Sequence, residues 1–110
     1  MNDLREKYED ILSHKCIFAV GKGWHSLIKN LLHTINCYVA RTPIDGVFEI
    51  VQLKEKFGGL RVYCNNEDEF IEGAIALAEC MSNNICEVCG SPGQNLIKGG
   101  WLKTRCKDHE

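Results

Sequence analysis

Four residues near the C-terminus have the types and spacing to hold a metal ion. Cys86 and Cys89 form the CxxC of CEVCG, Cys106 and His109 form the CxxH of CKDH, and sixteen residues separate the two pairs. A two-residue gap lets both side chains of a tight knuckle converge on one ion, and Gly90 supplies the flexible backbone that such a knuckle needs. Three thiolates and one imidazole fill a tetrahedron and leave no open position, which marks a structural zinc rather than a catalytic one. The competing reading is a redox pair, Cys86 and Cys89, with His109 as an idle tail residue. A thioredoxin-like pair belongs at a strand-to-helix junction of a βαβ unit, whereas this CxxC follows a predicted helix and runs into the loop residues GSPG. Cys16, Cys37, Cys64 and Cys80 lie singly in apolar stretches and read as small core residues.

A second stretch, KEKFGGLR at residues 54–61, combines three cations with a phenylalanine and a Gly-Gly pair. A hairpin turn needs glycine, but it needs neither an aromatic ring nor an arginine beside it. Lys54, Lys56 and Arg61 can neutralise phosphates, Gly58 and Gly59 allow close backbone approach, and Phe57 offers a face on which a base can stack. The blander reading folds Phe57 onto the core and leaves the charges in water. Two further features stand alone: GKG at 21–23 can present N–H groups to an anion at a helix start, and His25, Lys29 and His33 recur at four-residue spacing on a helix face that reads as solvated. No HExxH, Walker loop, GxSxG or deaminase signature is present, so nothing points to an enzyme.

The elements that must position these groups follow from apolar periodicity. Residues 2–14 carry Leu4, Tyr8, Ile11 and Leu12 at helical spacing, and CIFAV at 16–20 reads as a strand. A longer helix runs from Trp24 through Leu27, Ile28, Leu31, Leu32, Ile35, Tyr38 and Val39, ending near Arg41 ahead of Pro43. VFEIVQL at 47–53 and LRVYC at 60–64 form a hairpin across KEKFGG. A third helix opens after NNEDEF with Asn66 as its cap and Phe70, Ile71, Ala74, Ile75, Leu77, Ala78 and Met81 as its buried stripe, and Gly73 within it suggests a close backbone approach. LIKGGWLKTRC forms a second hairpin across Gly99 and Gly100, with Trp101 expected to pack against the rest of the molecule.

These elements specify an α+β fold: about three helices and a β-hairpin, extended to a three-stranded antiparallel sheet if CIFAV joins it, with a zinc-ribbon-like module at the C-terminus. Residues 1–85 form the core domain and 86–110 the zinc-binding module packed on it. With 45% hydrophobic and 25% charged residues in 110, the composition is that of an ordinary globular domain rather than a disordered chain. No apolar run reaches the roughly 20 residues of a membrane span, and MNDLREKYED has no signal pattern, so no membrane association and a cytoplasmic location are expected. The odd count of seven cysteines also argues against a disulfide framework. A net charge of −2 gives no global attraction to a polyanion. The C-terminal tail is basic only locally, through Lys98, Lys103, Arg105 and Lys107.

The runs GKGWHSLI, VQLKEKFGGLRVY and CEVCGSPG…GWLKTRCKDH together resemble a family of small phage and prophage proteins with a GxGW helix start, a KEKFGGLRFY-like hairpin and a closing CxxC…CxxH zinc module. The resemblance covers roughly residues 16–109 and departs at Lys22, where an acidic residue is common. It implies a setting rather than a mechanism: small phage proteins often counter host defences by binding a defence protein or sequestering a nucleotide signal, in the cytoplasm of the host cell. The first expectation is therefore a non-enzymatic anti-defence binder, in a homo-oligomer, that holds a nucleotide-like phosphorylated ligand through Lys54, Lys56, Phe57, Gly58, Gly59 and Arg61. The alternative is a zinc-ribbon interaction module that contacts nucleic acid or a host protein through Lys98, Trp101, Lys103, Arg105 and Lys107, with nucleic acid the less favoured partner.

Overall fold

The N-terminal helix stops well short of the expected residue 14. In the computed structural model, which describes residues 1–110, α1 spans Asn2–Lys7, a 3-10 turn takes Glu9–Ile11, and β1 runs Leu12–Ala19. Leu4, Tyr8 and Ile11 still reach the core. Leu12 continues the helical period but sits opposite Ile50 in a strand pair, and sheet pairing overrides local propensity there.

After β1 a 3-10 turn, Lys22–Trp24, leads into α2, His25–Arg41, which buries Leu27, Ile28, Leu31, Leu32 and Ile35 as its spacing requires. The chain leaves α2 extended at Thr42, ahead of Pro43. β2, Glu49–Lys56, then pairs parallel to β1, and β3, Gly59–Asn65, pairs antiparallel to β2. The sheet order is β1-β2-β3, and the sheet is mixed rather than antiparallel as expected. The reason is α2: a helical crossover returns the chain to the end from which β1 began, so β2 must run the same way.

α3 spans Glu69–Ser82 and is capped by Asp68, not Asn66; the Asp68 Oδ1 accepts the Ile71 N–H at 3.0 Å. Asn66 instead takes a left-handed conformation, φ 65°, and donates from Nδ2 to the Val47 carbonyl at 2.7 Å. α3 also closes the free edge of the sheet, because Ser82 Oγ accepts the Leu60 N–H and Glu79 Oε2 accepts the Val62 N–H, at 2.9 and 3.0 Å. Only part of its expected stripe is buried. Ile71, Ile75 and Ala78 face inward, while Phe70, Leu77 and Met81 are 46%, 62% and 46% exposed. Nothing in the chain lies within 4 Å of a Cβ built on Gly73, so no close approach within the chain explains that glycine.

Asp68 also receives the Tyr38 hydroxyl at 2.5 Å, and that bond together with the Ile71 N–H holds its carboxyl below the usual value of 3.8. A carboxylate with a lowered folded-state pKa adds stability above its unfolded value and loses it as pH falls through the folded one. Asp68→Asn keeps a capping side chain but cannot titrate. The wild-type advantage over Asp68→Asn in thermal midpoint should be full at neutral pH and should shrink as pH drops below about 4. A difference independent of pH would show that the charge of Asp68 contributes nothing.

β4, Gln94–Lys98, and β5, Trp101–Arg105, form a separate two-stranded sheet whose turn residues Gly99 and Gly100 both have positive φ, 57° and 84°. That is the expected hairpin, with the primed turn that two glycines favour. Trp101 does not pack it against the core: the indole is 71% exposed. Thr104, fully buried, makes that contact by donating from Oγ1 to the Gly58 carbonyl at 2.6 Å. A one-residue alternation along β5 is enough to put Thr104 inside and leave Trp101 in solvent.

Candidate functional site

The two half-sites converge as their spacing requires. Cys86, Cys89, Cys106 and His109 bring their ligand atoms within 4.8 Å of one another and can hold a metal ion. Cys89 Sγ lies 3.6 Å from Cys106 Sγ, and His109 Nδ1 lies 3.8 Å from Cys86 Sγ and 3.2 Å from Cys106 Sγ. Ligands bound about 2.0–2.3 Å from a central ion stand roughly 3.3–3.8 Å apart at the corners of a tetrahedron, so the separations suit one ion and no disulfide. Burial works against the Cys86 thiolate, yet the N–H groups around it, from Cys106, Cys89 and Val88, bring its pKa down to about 6. Cys86 is thus the ligand most ready to bind as a thiolate, whereas burial and the adjacent Cys89 and Cys86 raise the thiol pKa of Cys106. The 3-10 turn Lys107–His109 swings the imidazole back beside Cys106.

The knuckle is seated on the GKGW segment. Gly23 N–H donates to the Glu87 carbonyl at 2.8 Å, Gly21 N–H donates to Glu87 Oε2 at 2.9 Å, and the Trp24 indole N–H donates to the Ile85 carbonyl at 2.9 Å. Two of the N–H groups that GKG was expected to offer to an external anion are therefore already taken, that of Gly21 by the Glu87 carboxylate and that of Gly23 by the Glu87 carbonyl. Arg105 Nη1 lies 3.5 Å from the other Glu87 oxygen and completes the charge balance of this buried acid. Contact is backbone to backbone: a Cβ on Gly23 would fall 2.2 Å from the Cys86 carbonyl oxygen. On the far side, Gly90, φ 84°, leaves room for the Gly23 carbonyl, which a Cβ there would meet at 3.0 Å.

The KEKFGGLR hairpin splits into two groups of residues with different surroundings. Phe57 and Gly58 are the two turn residues, φ 54° and 81°, and Gly58 is clasped on both sides: its N–H donates to Glu55 Oε2 at 2.8 Å and its carbonyl accepts Thr104. Gly59 is buried beside Asn83 and the Arg61 guanidinium. Both glycines therefore join the hairpin tip to its neighbours, and their peptide groups are not laid open to a ligand.

Lys54, Lys56 and Arg61 share one sheet face with Gly59, which pairs with Lys56, and Arg61 Nη1 donates to the Leu60 carbonyl at 2.8 Å. Lys54 is directly opposite Arg61 in the strand register, and Gln52 is opposite Tyr63, on the sheet face away from the buried Leu53 and Val62. Ile17 and Ala19 of β1 continue that face beside Gln52 and Lys54. The Lys54 ammonium sits 5.6 Å from the Tyr63 ring centroid, and the Lys56 ammonium sits 5.6 Å from that of Phe57, which is 67% exposed. None of the three cations forms an ion pair. The sequence does not single out Tyr63, because its place opposite Gln52 depends on the strand register, which a β-bulge shifts between Ile50 and Gln52.

The remaining candidates disperse. In the C-terminal module Lys103 approaches Glu55 at 3.9 Å and Arg105 is engaged by Glu87, which leaves Lys98 and Lys107 as its free cations and Trp101 exposed beside Lys98. His25 Nε2 is 2.8 Å from Asp3, His33 Nε2 is 3.7 Å from the Cys37 thiol, and Lys29 lies exposed between them, so the three do not form a site. Of the four single cysteines, Cys16 is buried and Cys64 half-buried, whereas Cys37 and Cys80 are exposed rather than in the core. Burial raises the thiol pKa at Cys16 and pushes that at Cys64 up to about 12, which keeps both protonated. No helix is long and apolar enough to cross a membrane. Comparison of the chain with protein-family models, with curated proteins and with solved structures found no match.

Proposed function

We propose that this protein is a non-enzymatic binder, organised around a structural zinc, that takes a nucleotide-like phosphorylated ligand on the outer face of its β2–β3 hairpin. One observation carries the reading: Lys54 and Arg61 stand directly opposite each other on that face without a carboxylate partner. Like charges in opposed strand positions repel and destabilise the sheet, and a bound phosphate reverses the sign of that interaction. Lys56 adds a third cation, and Phe57 and Tyr63 supply exposed rings on which a base can stack. Gly58 ties the hairpin tip to Thr104, and Gly59 lies beside the Arg61 guanidinium.

A net charge of −2 suits a small anion held by a local cationic patch better than a long polyanion. In the phage setting that the resemblance implies, such a protein would sequester a nucleotide signal of the host. Zinc is favoured over other ions by three thiolates and an imidazole in tetrahedral spacing.

Isothermal titration with a panel of nucleoside mono-, di- and triphosphates tests the site. Saturable binding of at least one member is expected, with affinity about tenfold or more weaker in Arg61→Ala, the order of one lost charge-assisted hydrogen bond. The thermal midpoint of Arg61→Ala should hold or rise, since one of two facing cations is gone. Undiminished affinity in that variant, or no binding across the panel, would remove the assignment. The zinc-ribbon alternative calls for nucleic-acid affinity that falls steeply with salt, and the engagement of Lys103 and Arg105 by acids counts against it.

A further inference from the structure

The outer side of α3 is only partly covered within a single chain: Phe70 stacks one face on Tyr38 with ring centroids 4.1 Å apart and Ala74 touches the core, but Leu77 and Met81 stay 62% and 46% exposed. Phe70, Ala74, Leu77 and Met81 follow one another at intervals of four, three and four residues, the d-a-d-a order of a coiled-coil seam. Three of them are large, apolar and exposed. Helices apolar on all sides belong in interiors, and α3 already buries Ile71, Ile75 and Ala78 on its other face. Gly73 and Cys80 flank the seam, both exposed, and a glycine in mid-helix is unfavourable by about 1 kcal/mol against alanine with no neighbour to account for it. Ala74, Leu77 and Met81 of this seam line one wall of a groove of about 620 Å³ between α2 and α3 that reaches the metal knuckle at Gly90.

We infer that this face binds a second copy of the chain, through α3 packed antiparallel on its twofold mate. An antiparallel pair matches each a position with a d position of the other helix, so Met81 meets Phe70 of the second copy and Ala74 meets Leu77. Large meets large at the ends and small meets large at the centre, which fills the seam evenly. Gly73 then faces Cys80 across the pair, and the two small residues let the helix backbones come close. The charges agree with this direction. The first turn of α3 carries exposed Glu69 and Glu72, whereas the groove at its C-terminal end is lined by Lys22 and His25 and by no carboxylate. His25 is itself bonded to Asp3, so Lys22 is the free cation there. Antiparallel packing brings the acidic end of one copy to the basic end of the other; parallel packing would stack the acids.

Analytical ultracentrifugation of the zinc-loaded chain from micromolar to several hundred micromolar protein tests the pairing. A dimer is expected, and Leu77→Glu should be monomeric at every concentration with unchanged circular dichroism, because position 77 is open to solvent in the single chain. Under mild oxidation, Gly73→Cys should give a disulfide-linked dimer whose tryptic map joins position 73 of one copy to Cys80 of the other. Seven residues of helix separate these positions within a chain by roughly 10 Å, too far for an internal bridge. A wild-type monomer throughout, a dimer that survives Leu77→Glu, or a cross-link that joins positions outside α3 would each overturn the inference.

Discussion

Stripping the metal with a strong chelator, or replacing Cys86 by serine, should unfold more than the last 25 residues. Metal ligation of this kind contributes on the order of 10 kcal/mol in zinc-finger peptides, against a total stability of about 5–15 kcal/mol for a small domain. Cys86 is fully buried, and its neighbours Ile85 and Glu87 accept the hydrogen bonds of Trp24 and Gly23. Loss of the knuckle therefore strips the start of α2 of its partners and takes Thr104 away from the hairpin tip. The expected result is a red shift of the buried Trp24 emission and a fall of tens of degrees in thermal midpoint, restored by adding zinc to the chelated wild type but not to Cys86→Ser. A midpoint unchanged by the chelator would mean that the core stands without the metal module.

Gly23→Ala should do nearly as much damage with the four ligands intact. The new Cβ falls 2.2 Å from the Cys86 carbonyl oxygen and 2.6 Å from the Glu87 carbonyl carbon, and both are backbone atoms that no rotamer change can move aside. The knuckle must lift off α2, which breaks the Gly23–Glu87 bond and the Trp24–Ile85 bond together. A loss of roughly 3 kcal/mol or more is expected from a clash of this type in a packed interior. Zinc stoichiometry should remain one per chain while the midpoint falls; a midpoint within 2 °C of wild type would show that the seat accommodates a methyl group.

The contrast between what could be read ahead of the fold and what could not follows from the range of the interactions. The metal ligands were legible because each half-site is local: two residues of spacing and one glycine define a knuckle, and only the meeting of the two halves needed the fold. α2 was legible because its apolar period continues through four turns. The β2–β3 hairpin was legible too, but the mixed sense of the sheet was not, since the pairing of β1 with β2 spans more than thirty residues and its parallel direction depends on where α2 delivers the chain. GKG was misread for the same reason. The Gly21 N–H does meet a carboxylate, but that carboxylate is Glu87, 66 residues away along the chain. In KEKFGGLR the residue types were visible, while the burial of its glycines and the placement of Lys54 directly opposite Arg61 appear only with the strand register.

Two-dimensional NMR of the isotope-labelled, zinc-loaded chain, titrated with the nucleotide panel, tests the binding face most directly. Saturable shifts should concentrate on Lys54, Lys56, Phe57, Arg61 and Tyr63 and should vanish in Arg61→Ala. Shifts confined to the C-terminal hairpin or to the groove between α2 and α3, or none with any member of the panel, would contradict it.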